Sequence, residues 1–337
     1  MILVTGATGL VGAHLLHQLL LRNPNQKIKA IYRTEQKINE VNQWLLSKNK
    51  NFSSNQIIWE KACINNIPEL ENAFNNITHV YHCAAVVNFE TNNTATLNKI
   101  NIEGTANMVN LALHHNITKF CYVSSIATLG DANKDGIINE DCDWNPEKNN
   151  GDYAISKNGG EIEVWRAIAE GLNAVIVNPG VILGDGFWHN GSGEIFTKIY
   201  NGFPFYTKGT TGFVAVTDVV LCMIKLMDSD INSQRFVLTE SSPTFESVFK
   251  NIAKGLNKPE PKFYVSPIIT SIFWRIDWFI SLLTGKKRTL TKFTAKAAHS
   301  TSIYSNNKIK QAIQHQFIPI NQYITQIAPL YKTKSQL

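Results

Sequence analysis

The sequence predicts an α/β protein built on a doubly wound parallel sheet, with a smaller, discontinuous C-terminal substrate lobe. Three observations predict this class: short apolar runs alternate with segments of helical periodicity, the first run leads into a glycine-rich turn, and 44% of the 337 residues are hydrophobic. Alternation of this kind places parallel strands in one sheet and helices on both of its faces. The length of the chain favours a large unit that carries a second lobe.

Apolar runs and periodic segments place the elements in order along the chain. The predicted strands are residues 2–5, 28–32, 57–59, 79–82, 120–124 and 174–178. The predicted helices between them are residues 10–21, 98–114 and 153–170. Regular patterns return at 213–227 and 235–238, after loops rich in glycine and aromatic residues. We therefore assign residues 1–178 and 212–240 to the sheet domain and residues 179–211 and 241–330 to the substrate lobe.

The first predicted strand runs into a turn that contains three glycines. The turn is Gly6, Ala7, Thr8, Gly9, Leu10, Val11 and Gly12. The first glycine permits a tight turn, the second lets the backbone approach a pyrophosphate, and the third lets helix and strand pack closely. A helix that begins near Leu10 leaves backbone N–H groups unpaired at its N-terminus, where an anion binds. These residues are therefore predicted to hold the phosphates of a dinucleotide.

The end of the second strand indicates which dinucleotide binds. Folds that select NAD place an acid about twenty residues beyond the glycines to bind the ribose 2′-hydroxyl. This chain has Arg33 at that place, and a planar guanidinium suits a 2′-phosphate. We therefore expect NADP as the cofactor, and NAD stays an alternative because Glu35 lies nearby.

The segment YAISK places Tyr153 and Lys157 four residues apart, on one face of a helix. A phenol has an unperturbed pKa of about 10, and an adjacent ammonium is expected to lower that pKa toward the working range of an acid–base catalyst. Lys157 is also expected to bond the nicotinamide ribose. Upstream, Ser125 at the end of an apolar strand is expected to hold the substrate oxygen, with Ser124 as the competing choice.

Six motifs together resemble the extended short-chain dehydrogenase/reductase family, of the NAD-dependent epimerase/dehydratase type. They are TGATGLVG at the N-terminus, HCAA at 82–85, NIEGT at 101–105, VSSIA at 123–127, YAISK at 153–157 and NPGVILG at 178–184. The resemblance implies a Rossmann-like domain that binds NAD(P)(H), with proton transfer through Tyr153. It also implies a water relay from Asn101 to Lys157 and pairing of two copies of the chain.

The same resemblance assigns further cofactor contacts. Ala84 and Ala85 are expected on the adenosine and ribose side, and residues 179–182 against the nicotinamide; these last are Pro179, Gly180, Val181 and Ile182. The family usually carries an acid that touches the adenine after the third strand, where this chain has Cys63. We therefore expect adenine contacts from the backbone near Ile64. The family often has Arg where Asn178 stands, a change expected to affect packing more than chemistry.

Within the family, a carbonyl reductase or alcohol dehydrogenase is favoured over a nucleotide-sugar epimerase. Sugar enzymes typically carry an Arg before a Phe-Val-x-Val-x-Asp element, and this chain has Thr211 and Gly212 there. Four apolar residues are expected near the substrate pocket, although ordinary packing explains the aromatic ones equally well: Val87, Phe89, Phe187 and Trp188. The segment from Pro267 to Leu290 resembles the C-terminal part of dihydroflavonol reductase-like and beta-hydroxysteroid dehydrogenase-like members. A dinucleotide sensor without catalysis is a third reading, disfavoured by the complete Ser, Tyr and Lys set.

Composition narrows the class further. The net charge of +6 comes from 32 Lys and Arg against 26 Asp and Glu, and these charged residues are read as scattered through the chain. This pattern favours anionic small molecules over nucleic acid as ligands. The five cysteines form no CxxC pair, so we expect reduced thiols and no metal site. Because the first strand begins at Met1 or Ile2, we expect no signal peptide and a cytoplasmic protein.

The segment from Ser266 to Arg288 reads as one long helix, with Ser266 as its N-cap, Pro267 at its first position and Gly285 as its terminator. Arg275 and Asp277 would lie in the middle of a bilayer, so a membrane span is disfavoured. We expect this helix to be buried on one broad face. This interpretation is favoured over the alternative, in which its two tryptophans contact the membrane interface. The residues expected on the buried face are Ile269, Ile272, Phe273, Ile276, Phe279, Ile280 and Leu283.

Overall fold

The structure is a computed structural model that describes residues 1–50, 52–87, 94–148, 150–284, 288 and 290–332. Its strands are β1 (Ile2–Thr5), β2 (Ile28–Tyr32), β3 (Ile57–Lys61), β4 (His79–His82), β5 (Lys119–Val123), β6 (Ile137–Ile138), β7 (Ala174–Pro179), β8 (Val181–Leu183), β9 (Phe205–Tyr206), β10 (Phe213–Ala215), β11 (Gln234–Leu238), β12 (Phe263–Tyr264) and β13 (Ile303–Tyr304). The predicted strands of the sheet are all present, with small shifts at their ends.

Helices connect most of these strands. They are α1 (Leu10–Arg22), α2 (Glu35–Lys48), α3 (Ile67–Phe74), α4 (Thr94–Asn98), α5 (Gly104–His114), α6 (Asp152–Ala169), α7 (Glu194–Tyr200), α8 (Val216–Asp228), α9 (Phe245–Gly255), α10 (Pro267–Thr284), α11 (Lys292–Ala297), α12 (Asn307–Ile313) and α13 (Ile320–Ile327). A π-helical turn at Lys99–Glu103 joins α4 to α5, where the sequence predicts one continuous helix.

Seven parallel strands form the central sheet in the order β11-β7-β5-β4-β1-β2-β3, which confirms the predicted fold class. The strand order reverses between β1 and β4, and a crevice forms at the carboxyl ends of strands at such a point. Burial on both faces explains the continuous apolar runs: in β7, Val175 and Val177 belong to one core cluster, and Ala174 and Ile176 belong to the other.

The chain after β7 departs from the central sheet in part. The short strands β8 and β10 pair with each other outside it, whereas β11 pairs with β7 inside it. Strand β10 and helix α8 fall within residues 213–227, which the sequence assigns to the sheet domain, but β10 itself is not a strand of the central sheet. The division of the chain into two domains stays a prediction.

The long helix is present as α10, but its predicted buried face is wrong. The seven apolar residues expected to be buried are each at least 41% exposed, and Thr270 is the buried residue of this helix. The periodicity gives an apolar helix, but the described residues place no neighbouring element over most of its surface. No helix in the described part of the chain is long and apolar enough to cross a membrane. The predicted terminator Gly285 lies outside the described residues.

Candidate active site

A crevice of about 3240 Å³ opens at the carboxyl ends of the central strands. It is lined by Ser125 and by every predicted cofactor residue except Ala7, whose side chain is fully buried in the core. These residues come from stretches that lie far apart in the sequence, and the parallel sheet brings them together because its strand ends meet at one edge.

The glycine loop between β1 and α1 has the geometry that its sequence predicts. Gly6 has a φ of +64°, and a Cβ there would lie 2.7 Å from the backbone of Cys83 and Ala84. A Cβ at Gly12 would lie 2.3 Å from the Gly6 carbonyl oxygen, so no side chain fits. At Gly9 the nearest atom would be 3.4 Å away, a normal contact.

Gly9 is also the N-cap of α1, and no side chain caps it. The first N–H groups of this helix therefore face the crevice without a side-chain acceptor. Open backbone donors beside a glycine with free space fit the phosphates of a dinucleotide. The loop thus fits the group that the sequence predicts.

Tyr153 and Ser125 meet in the crevice. Burial raises the pKa of the Tyr153 phenol, and a hydrogen bond with the Ser125 side chain opposes that increase. The expectation that the Lys157 ammonium lowers this pKa stays a prediction, and burial has the largest effect on the phenol in this structure. Strand β5 ends at Val123, and Ser125 stands two residues later as the N-cap of a short 3₁₀ turn, where its Oγ accepts from the Ala127 N–H at 3.2 Å.

Lys157 is buried beside the crevice, one helical turn after Tyr153. Its Nζ donates to the Tyr122 hydroxyl and to the Val123 carbonyl, both at 2.8 Å. Burial lowers the pKa of Lys157 to about 7, although the nearby Glu161 carboxylate favours the charged form. Lys157 therefore gains and loses its proton near neutral pH, the range in which general acid–base catalysts work.

The buried carboxylate of Glu161 distinguishes the two serines that line the crevice, because it binds the hydroxyl of Ser124. Glu161 Oε2 accepts from Ser124 at 2.5 Å, from Thr128 at 2.7 Å and from Asn178 at 2.9 Å. Ser124 is thus held behind the strand end, and Ser125 is the hydroxyl that meets Tyr153. Arg235 balances the charge, with Nη1 3.2 Å from Glu161 Oε1.

Sequence reasoning missed Glu161, although a signal was present. Tyr153, Lys157 and Glu161 follow each other at intervals of four on α6, so they share one face of the helix. Asn178 also does more than pack, since its Nδ2 donates to the Ser125 carbonyl at 3.2 Å as well as to Glu161.

Asn101 lies behind the crevice in the π-helical turn. Its amide pairs with the Val86 backbone in both directions, at 2.8 and 3.0 Å, and donates to Ser156 Oγ at 2.9 Å. These bonds tie the segment after β4 to α6. The π-helical turn is the type of helix irregularity that occurs at functional sites.

His82 supports the same region from the end of β4. Its ring nitrogens lie 2.7 Å from Thr5 Oγ1 and 3.1 Å from Thr105 Oγ1. Burial lowers the pKa of His82 to about 3, and the nearby Lys157 charge adds to that effect. His82 is therefore neutral at physiological pH and acts as a polar support under the crevice.

At the adenosine end, Arg33 is exposed and lines the crevice directly after β2. Ile64 lies under the crevice, and its carbonyl accepts from Asn107 Nδ2 at 3.0 Å. At the nicotinamide end of the crevice, a Cβ at Gly180 would lie 2.4 Å from the Gly212 carbonyl oxygen. This close approach of the two backbone segments explains why residue 180 is a glycine.

The four apolar residues expected at the substrate pocket differ in their placement. Val87 is exposed at the crevice, and Phe187 is half-buried against Trp44 with ring centroids 6.0 Å apart. Trp188 is buried and packs against Phe196, 5.1 Å between centroids, so it belongs mainly to the core. Phe89 lies outside the described residues.

Among the residues that the structure describes, one group of side chains could hold a metal ion, and it lies away from this crevice. Glu71, His114 and His115 bring one ligand atom each to within 4.8 Å of one another. The His115 Nε2 to Glu71 Oε1 distance of 3.0 Å is that of a hydrogen bond, and His115 stacks on Phe74 at 5.4 Å. Ordinary hydrogen bonding and stacking account for this arrangement.

The fold and this crevice define a dinucleotide-binding enzyme class, and comparison with known sequences gives the family. Residues 2–238 match the NAD dependent epimerase/dehydratase family, so the chain belongs to it, as the sequence motifs predict. The chain is therefore an enzyme of the extended short-chain dehydrogenase/reductase type. The proteins similar to it include both reductases and nucleotide-sugar epimerases.

Three similar proteins illustrate this range. Sterol demethylase protein B of Methylococcus capsulatus is 25% identical, with 79% of this chain and 77% of that protein covered. A putative dihydroflavonol 4-reductase of Synechocystis is 25% identical, covering 92% and 88%. The structure of UDP-glucose 4-epimerase from Thermus thermophilus in complex with NAD has a TM-score of 0.74, 16% identity and coverage of 97% of both chains. The last likeness shows the fold alone.

Proposed function

We propose that the chain transfers a hydride between NADP(H) and a carbonyl or alcohol group of a small apolar or aromatic substrate, with Tyr153 as general acid–base. The observation that carries this proposal is the hydrogen bond between Tyr153 and Ser125 inside the crevice that also contains the glycine loop. The relatives named for a sterol and for a dihydroflavonol support an apolar substrate with rings.

NADP supplies or accepts the hydride when it is bound. The Ser125 hydroxyl holds the substrate oxygen beside the phenol. A phenol is protonated at neutral pH, and burial, which raises the pKa of Tyr153, favours that form further, so in the reducing direction Tyr153 donates its proton to that oxygen. Lys157, with a pKa of about 7, replaces the proton and bonds the cofactor ribose. Asn101 and Glu161 act as positioning residues for these groups.

Two features favour a reductase over a sugar epimerase. A Cβ at Gly212 would lie 2.4 Å from Thr239, so the position where sugar enzymes carry an Arg cannot hold a long side chain. Its neighbour Thr211 lines the crevice without a charge. Arg33, at the adenosine end, supports NADP over NAD.

The central test follows the absorbance of NADPH with a panel of aromatic and alicyclic carbonyl compounds. Tyr153→Phe should lower turnover about 10²–10⁴-fold and leave the dissociation constant of NADP unchanged, because only the proton donor is removed. Tyr264→Phe makes the same change outside the crevice and should keep wild-type turnover. Full turnover in Tyr153→Phe would refute the assignment.

Thermal stabilisation by ligands separates the alternatives. NADP should stabilise the wild type more than NAD, and Arg33→Ala should remove that difference, whereas Lys27→Ala, an exposed cation outside the crevice, should retain it. Stabilisation by UDP-sugars, together with NAD that stays bound through purification, would instead support a nucleotide-sugar epimerase or dehydratase. Stabilisation by NADP without turnover on any substrate would support a dinucleotide sensor.

A further inference from the structure

Helix α10 has an exposed apolar stripe next to the side chains with which it lines the crevice. The stripe consists of Ile268, Ile272, Phe279, Leu282 and Leu283, which recur at intervals that place them on one side of a helix. Each of these side chains is between 52% and 75% exposed. Folded proteins rarely expose contiguous apolar patches of this kind unless another surface binds there.

An adjacent face of the same helix belongs to the crevice. Phe273, Ile276 and Ile280 line the crevice, so α10 is its outer wall. Only the crevice side has a role in the site described above, and the stripe needs a separate explanation.

Aromatic residues border the stripe. Trp274 and Trp278 form a shallow depression with Phe279, and the Arg275 guanidinium stacks over Trp274 at 4.6 Å. Just before the helix, β12 adds Phe263, which is 61% exposed. Tryptophan at the edge of an apolar surface is typical of the boundary between lipid headgroups and acyl chains.

The net positive charge of the chain falls within the sequence segment that contains this helix. Residues 258–300 carry eight Lys and Arg against two Asp and Glu, a balance of +6 that equals the net charge of the whole chain. The expectation of scattered charge is therefore wrong, since the rest of the chain is balanced. Lys262, Lys292 and Lys296 are exposed in this region.

We propose that the stripe on α10 is a docking surface for an anionic lipid bilayer, with the helix lying in the plane of the membrane. The apolar side chains enter the acyl boundary, and the surrounding cations attract anionic headgroups. A second copy of this chain fits the surface less well, because two such regions would bring +6 against +6. This proposal does not depend on the reaction in the crevice.

Flotation with lipid vesicles tests the proposal on the full chain. Wild-type protein should float with vesicles of phosphatidylcholine and phosphatidylglycerol, and much less with phosphatidylcholine alone. The variant Ile268→Ser/Ile272→Ser/Leu283→Ser should lower the bound fraction at least tenfold. The control Leu21→Ser/Ile67→Ser/Ile162→Ser changes exposed apolar residues on other helices and should bind as the wild type does. Thermal melts confirm that each variant folds.

A second variant tests the electrostatic part. Lys292→Gln/Lys296→Gln should remove much of the preference for phosphatidylglycerol, and high salt should do the same to the wild type. Wild type that fails to float with either vesicle, or a stripe variant that floats as the wild type does, would overturn the proposal. A wild-type dimer in light scattering that the stripe variant converts to monomer, with no flotation, would assign the surface to a second copy instead.

Discussion

Glu161 provides the sharpest test of how the structure supports its crevice. Its carboxylate is buried and accepts hydrogen bonds on both oxygens: from Ser124, Thr128 and Asn178 on one, and from Arg235 on the other. Either orientation of the amide in Glu161→Gln puts its NH₂ group against a donor. The substitution also leaves Arg235 without its buried counter-charge.

The expected cost follows from burial. Removing one partner of a buried ion pair costs about 3–5 kcal/mol, and we take the lower end because the Arg235 side chain is 15% exposed. Unfolding entropy of about 2.1 cal/mol/K per residue gives about 0.7 kcal/mol/K for this chain, so the midpoint of thermal unfolding should fall by about 4 °C. Urea unfolding should show a lower midpoint at unchanged slope.

Glu163→Gln is the matched control on the same helix. Glu163 pairs with Arg166 at 2.9 Å, and both side chains are more than a quarter exposed, so this pair contributes less than about 1 kcal/mol. A thermal midpoint for Glu161→Gln that coincides with that of Glu163→Gln would refute the reasoning. It would mean that the network under the serines contributes nothing beyond a surface pair.

Three further predictions concern the loop and the groups behind it. Gly12→Ala should lower the thermal midpoint and abolish stabilisation by NADP because its methyl group meets the Gly6 oxygen, whereas Gly9→Ala should keep the midpoint and lose only the stabilisation. Between about pH 7 and pH 8.5 the folded chain releases the Lys157 proton, whereas the unfolded chain keeps it. The free energy of unfolding of the wild type should therefore rise by about 1.5 kcal/mol over this range, relative to the change in Lys157→Met. Urea titrations of both proteins at the two pH values measure this difference. Asn101→Ala should lower the free energy of unfolding by about 2 kcal/mol by leaving backbone groups after β4 unpaired, and an unchanged urea midpoint would contradict this.

Local patterns in the sequence were sufficient for most of the fold. Strands β1, β2 and β4 begin and end at the predicted residues, because a strand buried on both faces has to be continuously apolar and has polar or glycine residues at its ends. The glycine loop and the spacing of Tyr153 and Lys157 were equally visible. Each depends on residues close together in the chain.

Features that depend on contacts between residues far apart in the sequence were decided by the tertiary structure. It separated Ser125 from Ser124, because the carboxylate that holds Ser124 lies 37 residues away. It also reversed the prediction for α10: periodicity identifies an apolar helix, but burial depends on whether another element packs over it, and here most of that surface stays exposed. By itself the sequence determined the family, the sheet and the reactive residue types, since these follow from local pattern. Their pairing and pKa values were decided by the fold, since burial and long-range hydrogen bonds exist only there.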